Sequence, residues 1–219
     1  MARQIGRLLL AGANWPDRLL ACAGALFGIA VTGLIGGLIP ASAAPFLVAP
    51  MGASAVLIYA VPASPLAQPW PVIGGNMLSV LVGLACATLF GHGALVAGLA
   101  VGVAILLMSL LRCLHPPGGA CALLPVLGGP AIIAKGLAFA FVPVALNAAV
   151  LVCVGLAFHR LSRHSYPHRP AAPAPVASLQ RQDIDAALAE AHESFDIARE
   201  DLAALLDRAE AHAKARGAR

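Results

Sequence analysis

The chain has no carboxylate between residues 19 and 159, and in that stretch only two formal cations, Arg112 and Lys135. Charged residues make up 11% of its 219 positions and aromatics 5%, while 60% are hydrophobic. A soluble domain carries about 25% charge, so most of this chain is solvated by lipid. Cation-coupled pumps usually hold their cargo on intramembrane Asp or Glu, and their absence argues against that class. A core whose only charges are positive suits an anion or a neutral solute. The five cysteines, Cys22, Cys86, Cys113, Cys121 and Cys153, show no CxxC or other metal spacing and read as small packing residues. No metal or cofactor is predicted. No Ser/His/Asp set, HExxH or paired carboxylate is visible, so the chain does not read as an enzyme.

What is present is a series of long apolar runs broken at regular points. Residues 1–18 are basic, with Arg3, Arg7 and Arg18 ahead of an apolar run over 19–39. Ala41-Ser42-Ala43 resembles a signal-peptidase site, but the run is too long for a signal core and reads as a retained first span. Gly24/Gly28 and Gly33/Gly37 in this run, and Gly98/Gly102 later, are small-xxx-small pairs that permit close helix contact. Further spans are predicted over 72–90, 94–114 and 131–158. Between the last two lies Arg112-Cys113-Leu114-His115-Pro116-Pro117-Gly118-Gly119-Ala120-Cys121. Paired prolines supply no N–H groups, so helix cannot run through them. Irregular backbone at membrane depth survives only where protein or a cavity surrounds it.

An internal repeat organises these runs. Pro50-Met51-Gly52-Ala53-Ser54-Ala55-Val56-Leu57 matches Pro117-Gly118-Gly119-Ala120-Cys121-Ala122-Leu123-Leu124 as P-x-G-A-x-A-x-L, 67 positions apart. Asn76 and Asn147 correspond, as do Gly83 and Gly155. The fold predicted is an all-α membrane domain over 19–159, built of two pseudo-repeated units, 19–91 and 94–159, with a broken helix in each. Four to six transmembrane segments fit the pattern. The basic ends at 3–18 and 160–169 both favour the cytoplasm, which requires an even number. Six is preferred, because 115–129 with some extended residues reaches about 28 Å, close to the ~30 Å hydrocarbon core.

Residues 160–178 read as a basic, Pro/Ala-rich linker. The tail, 179–219, reads as a cytoplasmic amphipathic helix with a heptad seam of Ile184, Leu188, Ala191, Phe195, Ala198, Leu202, Leu205 and Ala209. Its nine acidic and six basic residues over 181–219 make a solvated face, not a nucleic-acid surface. A homo-oligomer through the glycine-rich spans or the C-terminal helix is compatible with this pattern.

The candidate site follows from the breaks. Short helices starting near Gly52 and Gly118 would present free N–H groups and a positive dipole end, the arrangement by which transporters hold anionic groups. The candidate solute-binding residues are Gly52, Ala53, Ser54, Asn76, Arg112, His115, Gly118, Gly119, Ala120, Cys121 and Asn147. Arg112 and His115, three apart, are expected on one helical face. Helix–helix hydrogen bonding by the asparagines, interfacial snorkelling by Arg112 and Lys135, and a turn position for His92 are the plainer alternatives. Function then divides between a transporter or channel for a small monovalent anion and a membrane anchor or sensor signalling through its C-terminal helix.

Taken together, HPPGGA at 115–120, Gly52-Ala53-Ser54-Ala55-Val56-Leu57, Ser64-Pro65-Leu66-Ala67-Gln68-Pro69 and Val72-Ile73-Gly74-Gly75-Asn76 make the chain resemble the HPP family of integral membrane proteins over about residues 15–160. Plastid and cyanobacterial members are associated with nitrite transport, and the resemblance implies that here, in the cell inner membrane with both ends cytoplasmic. The family is usually described with four transmembrane helices. Bacterial members often continue into paired CBS domains; this sequence stops first, so control by such domains is not implied. Where the family often has His after Gly74-Gly75, this chain has Asn76.

Overall fold

The computed structural model describes residues 15–39, 47–162, 164–169, 181–191, 197 and 199–217. Among them the architecture is all helical. The membrane domain contains α1 (Trp15–Gly37), α2 (Pro50–Ala60), α3 (Pro71–Phe90), α4 (Ala94–Leu110), α5 (Pro117–Leu127) and α6 (Ala140–Ser162), with a single helical turn at Pro130–Ile133.

Three of these, α1, α3 and α6, are long and apolar enough to cross a membrane. The predicted four to six spanning segments, with six preferred, are corrected by this. The physical reason is length. Helices α2 and α5 have 11 residues each, about 16 Å at 1.5 Å per residue, half of the ~30 Å core. Helix α4, with 17 residues, reaches about 25 Å. Pro50 and Pro117 occupy the first helical position of α2 and α5, where a missing N–H costs nothing, so both helices begin there and remain short.

The two units share one element order. Each runs long helix, short helix, long helix: α1-α2-α3, then α4-α5-α6. The second long helix of each opens with a wide π turn, at Pro71–Gly75 and Ala140–Ala145, just ahead of Asn76 and Asn147. The units interlock, because each short helix packs on the Asn-bearing helix of the other unit, α5 on α3 and α2 on α6. Glycines allow both approaches. A Cβ at Gly83 would strike the Ala122 carbonyl of α5 and lie 3.0 Å from Pro125 Cδ. A Cβ at Gly155 would lie 2.7 Å from Ile58 Cγ2 of α2. Two apolar cores result, one among α2, α3 and α6 with Met51, Ile58, Phe139 and Leu151, the other among α3, α4 and α5 with Ala100, Ala104 and Met108.

One face of the domain gathers the start of α1, the loop 61–70, the segment 111–116 and the segment 164–169. His164 Nε2 lies 3.7 Å from Asp17 Oδ1. The Tyr166 hydroxyl donates to the Ala67 carbonyl at 2.9 Å, and Trp70 Nε1 donates to the Leu111 carbonyl at 3.1 Å. The starts of α1 and α3 and the ends of α4 and α6 therefore lie at this face. Arg18, Arg112, Arg160 and Arg169 all belong to this face. The opposite face carries the turns 91–93 and 128–139, with Lys135.

Of the small-residue pairs in α1, Gly24 and Gly28 are consumed inside the molecule. A Cβ at Gly24 would sit 2.6 Å from Tyr59 Cδ1, and one at Gly28 would strike the Tyr59 ring and hydroxyl. Gly37, Gly98 and Gly102 meet nothing within 4 Å. In the tail, Arg181–Ala191 (α7) and Arg199–Gly217 (α8) are helical. Phe195 and Ala198 lie outside the described residues.

Candidate functional site

Four of the predicted site residues meet in one hydrogen-bonded set. Ser54 of α2, Asn76 of α3, His115 before α5 and Cys121 of α5 are all wholly buried. Ser54 Oγ lies 2.8 Å from His115 Nε2, Asn76 Nδ2 lies 3.2 Å from Ser54 Oγ, and Cys121 Sγ lies 3.1 Å from Asn76 Oδ1. Two backbone carbonyls complete the set: Leu66 O is 2.8 Å from His115 Nδ1, and Val72 O is 2.8 Å from Asn76 Nδ2. The donors are fixed by chemistry. A carbonyl only accepts, so His115 Nδ1 carries a proton toward Leu66, and the neutral ring then accepts from the Ser54 hydroxyl at Nε2. Ser54 Oγ accepts from the Asn76 amide, and Asn76 Oδ1 accepts from the Cys121 thiol. The Ser54 Oγ also lies 3.3 Å from the Pro50 carbonyl, a weaker acceptor one turn back in its own helix.

Local sequence explains the convergence. Ser54 and Cys121 are equivalent in the repeat, one turn into α2 and α5. The π turn at Pro71–Gly75 shifts the register of α3 so that Asn76 faces between them. Helix α4 ends at Leu110, and Arg112 adopts φ 54°, a left-handed conformation that turns the chain sharply. This sends His115 inward and Arg112 outward, exposed to the surroundings. The expected common helical face for Arg112 and His115 is thereby corrected, since no helix continues between them.

The helix starts also differ from expectation. Met51 and Gly52 N–H groups donate to the Val48 and Ala49 carbonyls at 3.0 Å each, and Gly118 and Gly119 N–H groups donate to His115 and Pro116 carbonyls at 2.8 and 3.0 Å. With proline at the first position, these bonds occupy the N–H groups that a helix start leaves over. Gly118 has a different role: a Cβ there would lie 2.7 Å from Ser79 Oγ and 2.9 Å from Met108 Sδ, so it allows α5 to approach α3 and α4. Gly52, Ala53 and Ala120 point outward, and Gly119 is nearly open. Ala53 and Ala120 line an open apolar groove of about 470 Å³ between the short helices, with Ala49, Pro50, Leu123 and Leu124. Asn147 stands apart from the cluster, where its Oδ1 accepts the Val48 N–H at 3.1 Å and secures the entry to α2.

Two histidines outside the candidate set repeat one role. His159 Nε2 lies 2.8 Å from the Ile58 carbonyl in the last turn of α2. His92 Nδ1 lies 2.8 Å from the Val126 carbonyl in the last turn of α5. Each short helix thus ends on a histidine borne by, or just after, the long helix it packs against, satisfying a carbonyl that helix geometry leaves over. The signal for His92 was its Gly-His-Gly turn, which reads as a solvent turn unless the partner helix is known.

Residues 11–167 match the family model described as HPP, transmembrane region. The chain belongs to the HPP family. A transmembrane protein of Dictyostelium discoideum is 39% identical over 126 residues, 55% of this chain and 44% of that protein. A second from the same organism is 35% identical over 127 residues, 56% of this chain and 40% of that protein. The chain thus spans less than half the length of the curated relatives it matches. No solved structure matches it. The HPP region is a multi-pass membrane domain, and among the described residues no group of three or more His, Cys, Asp or Glu side chains is placed to hold a metal.

Proposed function

We propose that this HPP protein passes a small monovalent anion, nitrite being the best fit, through the Ser54–Asn76–His115–Cys121 cluster. The observation that carries the reading is the cluster's burial and convergence: three polar side chains and a thiol at zero exposure, drawn from three helices and the segment before α5 and bonded to one another inside a largely apolar domain. Polar groups are expensive in a membrane and mark function there by default. An anchor would fill the same space with apolar side chains at no such cost. The donors are of the kind an anion needs, an amide, a hydroxyl and an imidazole N–H, with no carboxylate in 19–159 to repel it. In the closed arrangement they satisfy one another, and an arriving anion would take the Ser54 and Asn76 donors in exchange. The link between the HPP resemblance and nitrite selects the substrate.

The bilayer is the cell inner membrane in this reading, and the face bearing Arg18, Arg112, Arg160 and Arg169 is cytoplasmic, which puts the start of α1 and the end of α6 on the cytoplasmic side. The anchor or sensor reading keeps one specific support, since every donor in the cluster already has an acceptor within the protein. Uptake of nitrite, nitrate, formate and chloride into proteoliposomes separates the two. Nitrite uptake above that of protein-free liposomes supports transport, and none for any of the four anions supports the anchor.

A further inference from the structure

We propose that the segment 164–169 is a latch that holds the loop 61–69 as a lid over the buried cluster on the arginine-bearing face. This rests on the reading of the cluster as the solute site and adds how access to it is controlled. The lid is braced as a unit. Gln68 Nε2 donates to the Pro62 and Ser64 carbonyls at 2.9 and 2.8 Å, the Ser64 N–H donates to Val61 O at 2.9 Å, and the Leu66 N–H donates to Ser64 Oγ at 3.3 Å. Its inner side meets the cluster where the Leu66 carbonyl accepts from His115 Nδ1 at 2.8 Å. The loop is tied to itself by these bonds and seated on the domain by buried Val61, Ala63, Ser64 and Ala67, so it moves as one piece.

The outer ties come from one place. The Tyr166 hydroxyl donates to Ala67 O at 2.9 Å, and the His168 N–H donates to Gln68 Oε1 at 2.8 Å. Gln68 is the junction, since its nitrogen stitches the lid internally and its oxygen receives the latch. The latch is ordered on its own account. The Arg169 N–H donates to Ser165 Oγ at 3.1 Å, and His164 lies 3.7 Å from Asp17 of α1. Tyr166 is buried, so its hydroxyl reaches the lid from inside the fold. In sequence the latch joins α6 to the linker and tail, which makes it the point where displacement of the C-terminal region would reach the lid.

Peptide-resolved alkylation of the full-length protein in proteoliposomes tests this without relying on flux. Cys121 reports opening beneath the lid, and Cys86, buried in the other core, reports general loosening. A hydrogen bond of ordinary strength lost from the closed state raises the open population about fivefold. In Tyr166→Phe and in Gln68→Ala, Cys121 should react with N-ethylmaleimide about fivefold faster than in the wild type, with Cys86 unchanged. Tyr59→Phe, which removes a hydroxyl with no hydrogen-bond partner among the described residues, should leave both rates unchanged. An unchanged Cys121 rate in both latch variants overturns the proposal. A rise in Cys86 parallel to Cys121 also overturns it, because the tie would then be part of the general fold. Faster Cys121 alkylation in a protein that takes up no anion keeps the latch and removes the solute reading.

Discussion

Ser54 and His115 are 61 residues apart in the chain and 2.8 Å apart in the fold, with the hydroxyl on the imidazole Nε2. Their contact joins the two halves of the repeat, since Ser54 belongs to the short helix of the first unit and His115 leads into the short helix of the second. Ser54→Ala leaves His115 Nε2 and an Asn76 N–H without partners in a dry interior. It should cost about 1–3 kcal/mol, read as a lowered unfolding midpoint in detergent. Cys121→Ser supplies a hydroxyl donor to Asn76 in place of the thiol and should stay within about 1 kcal/mol of wild type. A larger loss for Cys121→Ser than for Ser54→Ala would contradict the donor order given above.

The repeat makes a prediction about paired glycines. Gly83→Ala places a methyl against the Ala122 backbone, which cannot yield, whereas Gly155→Ala meets the end of the Ile58 side chain. Both should destabilise, Gly83→Ala by about 3 kcal/mol or more and Gly155→Ala by about 1–3 kcal/mol. Gly52→Ala, with nothing within 4 Å, should stabilise α2 by about 0.5–1 kcal/mol. Unfolding midpoints of the three variants, measured side by side, give the order.

Much of this arrangement was legible in the residues. The P-x-G-A-x-A-x-L match located both short helices, and the shared Asn and Gly positions located the helices they pack on. Ser54, His115 and Cys121 were marked by their place beside the breaks, and Asn76 by its correspondence with Asn147 in the repeat. The helix count was not legible, because apolar composition does not say where an element ends, and Pro50 and Pro117 start helices too short to cross. Occupation of the helix-start N–H groups was hidden for a related reason. It depends on Ala49 and Pro116 adopting helical dihedrals, and the break at Pro116-Pro117 suggested extended chain there. The outward turn of Arg112 needed a left-handed residue that no glycine announced.

Tyr59 supplies a prediction of opposite sign. Its ring packs against Phe158, with centroids 5.5 Å apart, and its hydroxyl lies buried against α1 beside Gly28 without a hydrogen-bond partner among the described residues. Tyr59→Phe keeps the ring and removes the unpaired group, so it should stabilise the domain by about 1 kcal/mol or more. A lowered unfolding midpoint would mean that this hydroxyl has a partner after all.

The central claim is that a small anion passes through the buried cluster, and the initial rate of nitrite uptake in Asn76→Ala proteoliposomes tests it most directly. Asn76 contributes one of the two donor groups that would face the anion, the Ser54 hydroxyl being the other. With monodisperse protein and matched incorporation, losing a donor worth about 1.4 kcal/mol or more should cut uptake at least tenfold. Gly52→Leu, on the outward face of α2, should retain the wild-type rate. Asn76→Ala uptake equal to wild type, with Gly52→Leu abolished, would contradict the account and move the anion path to the outer faces of the short helices.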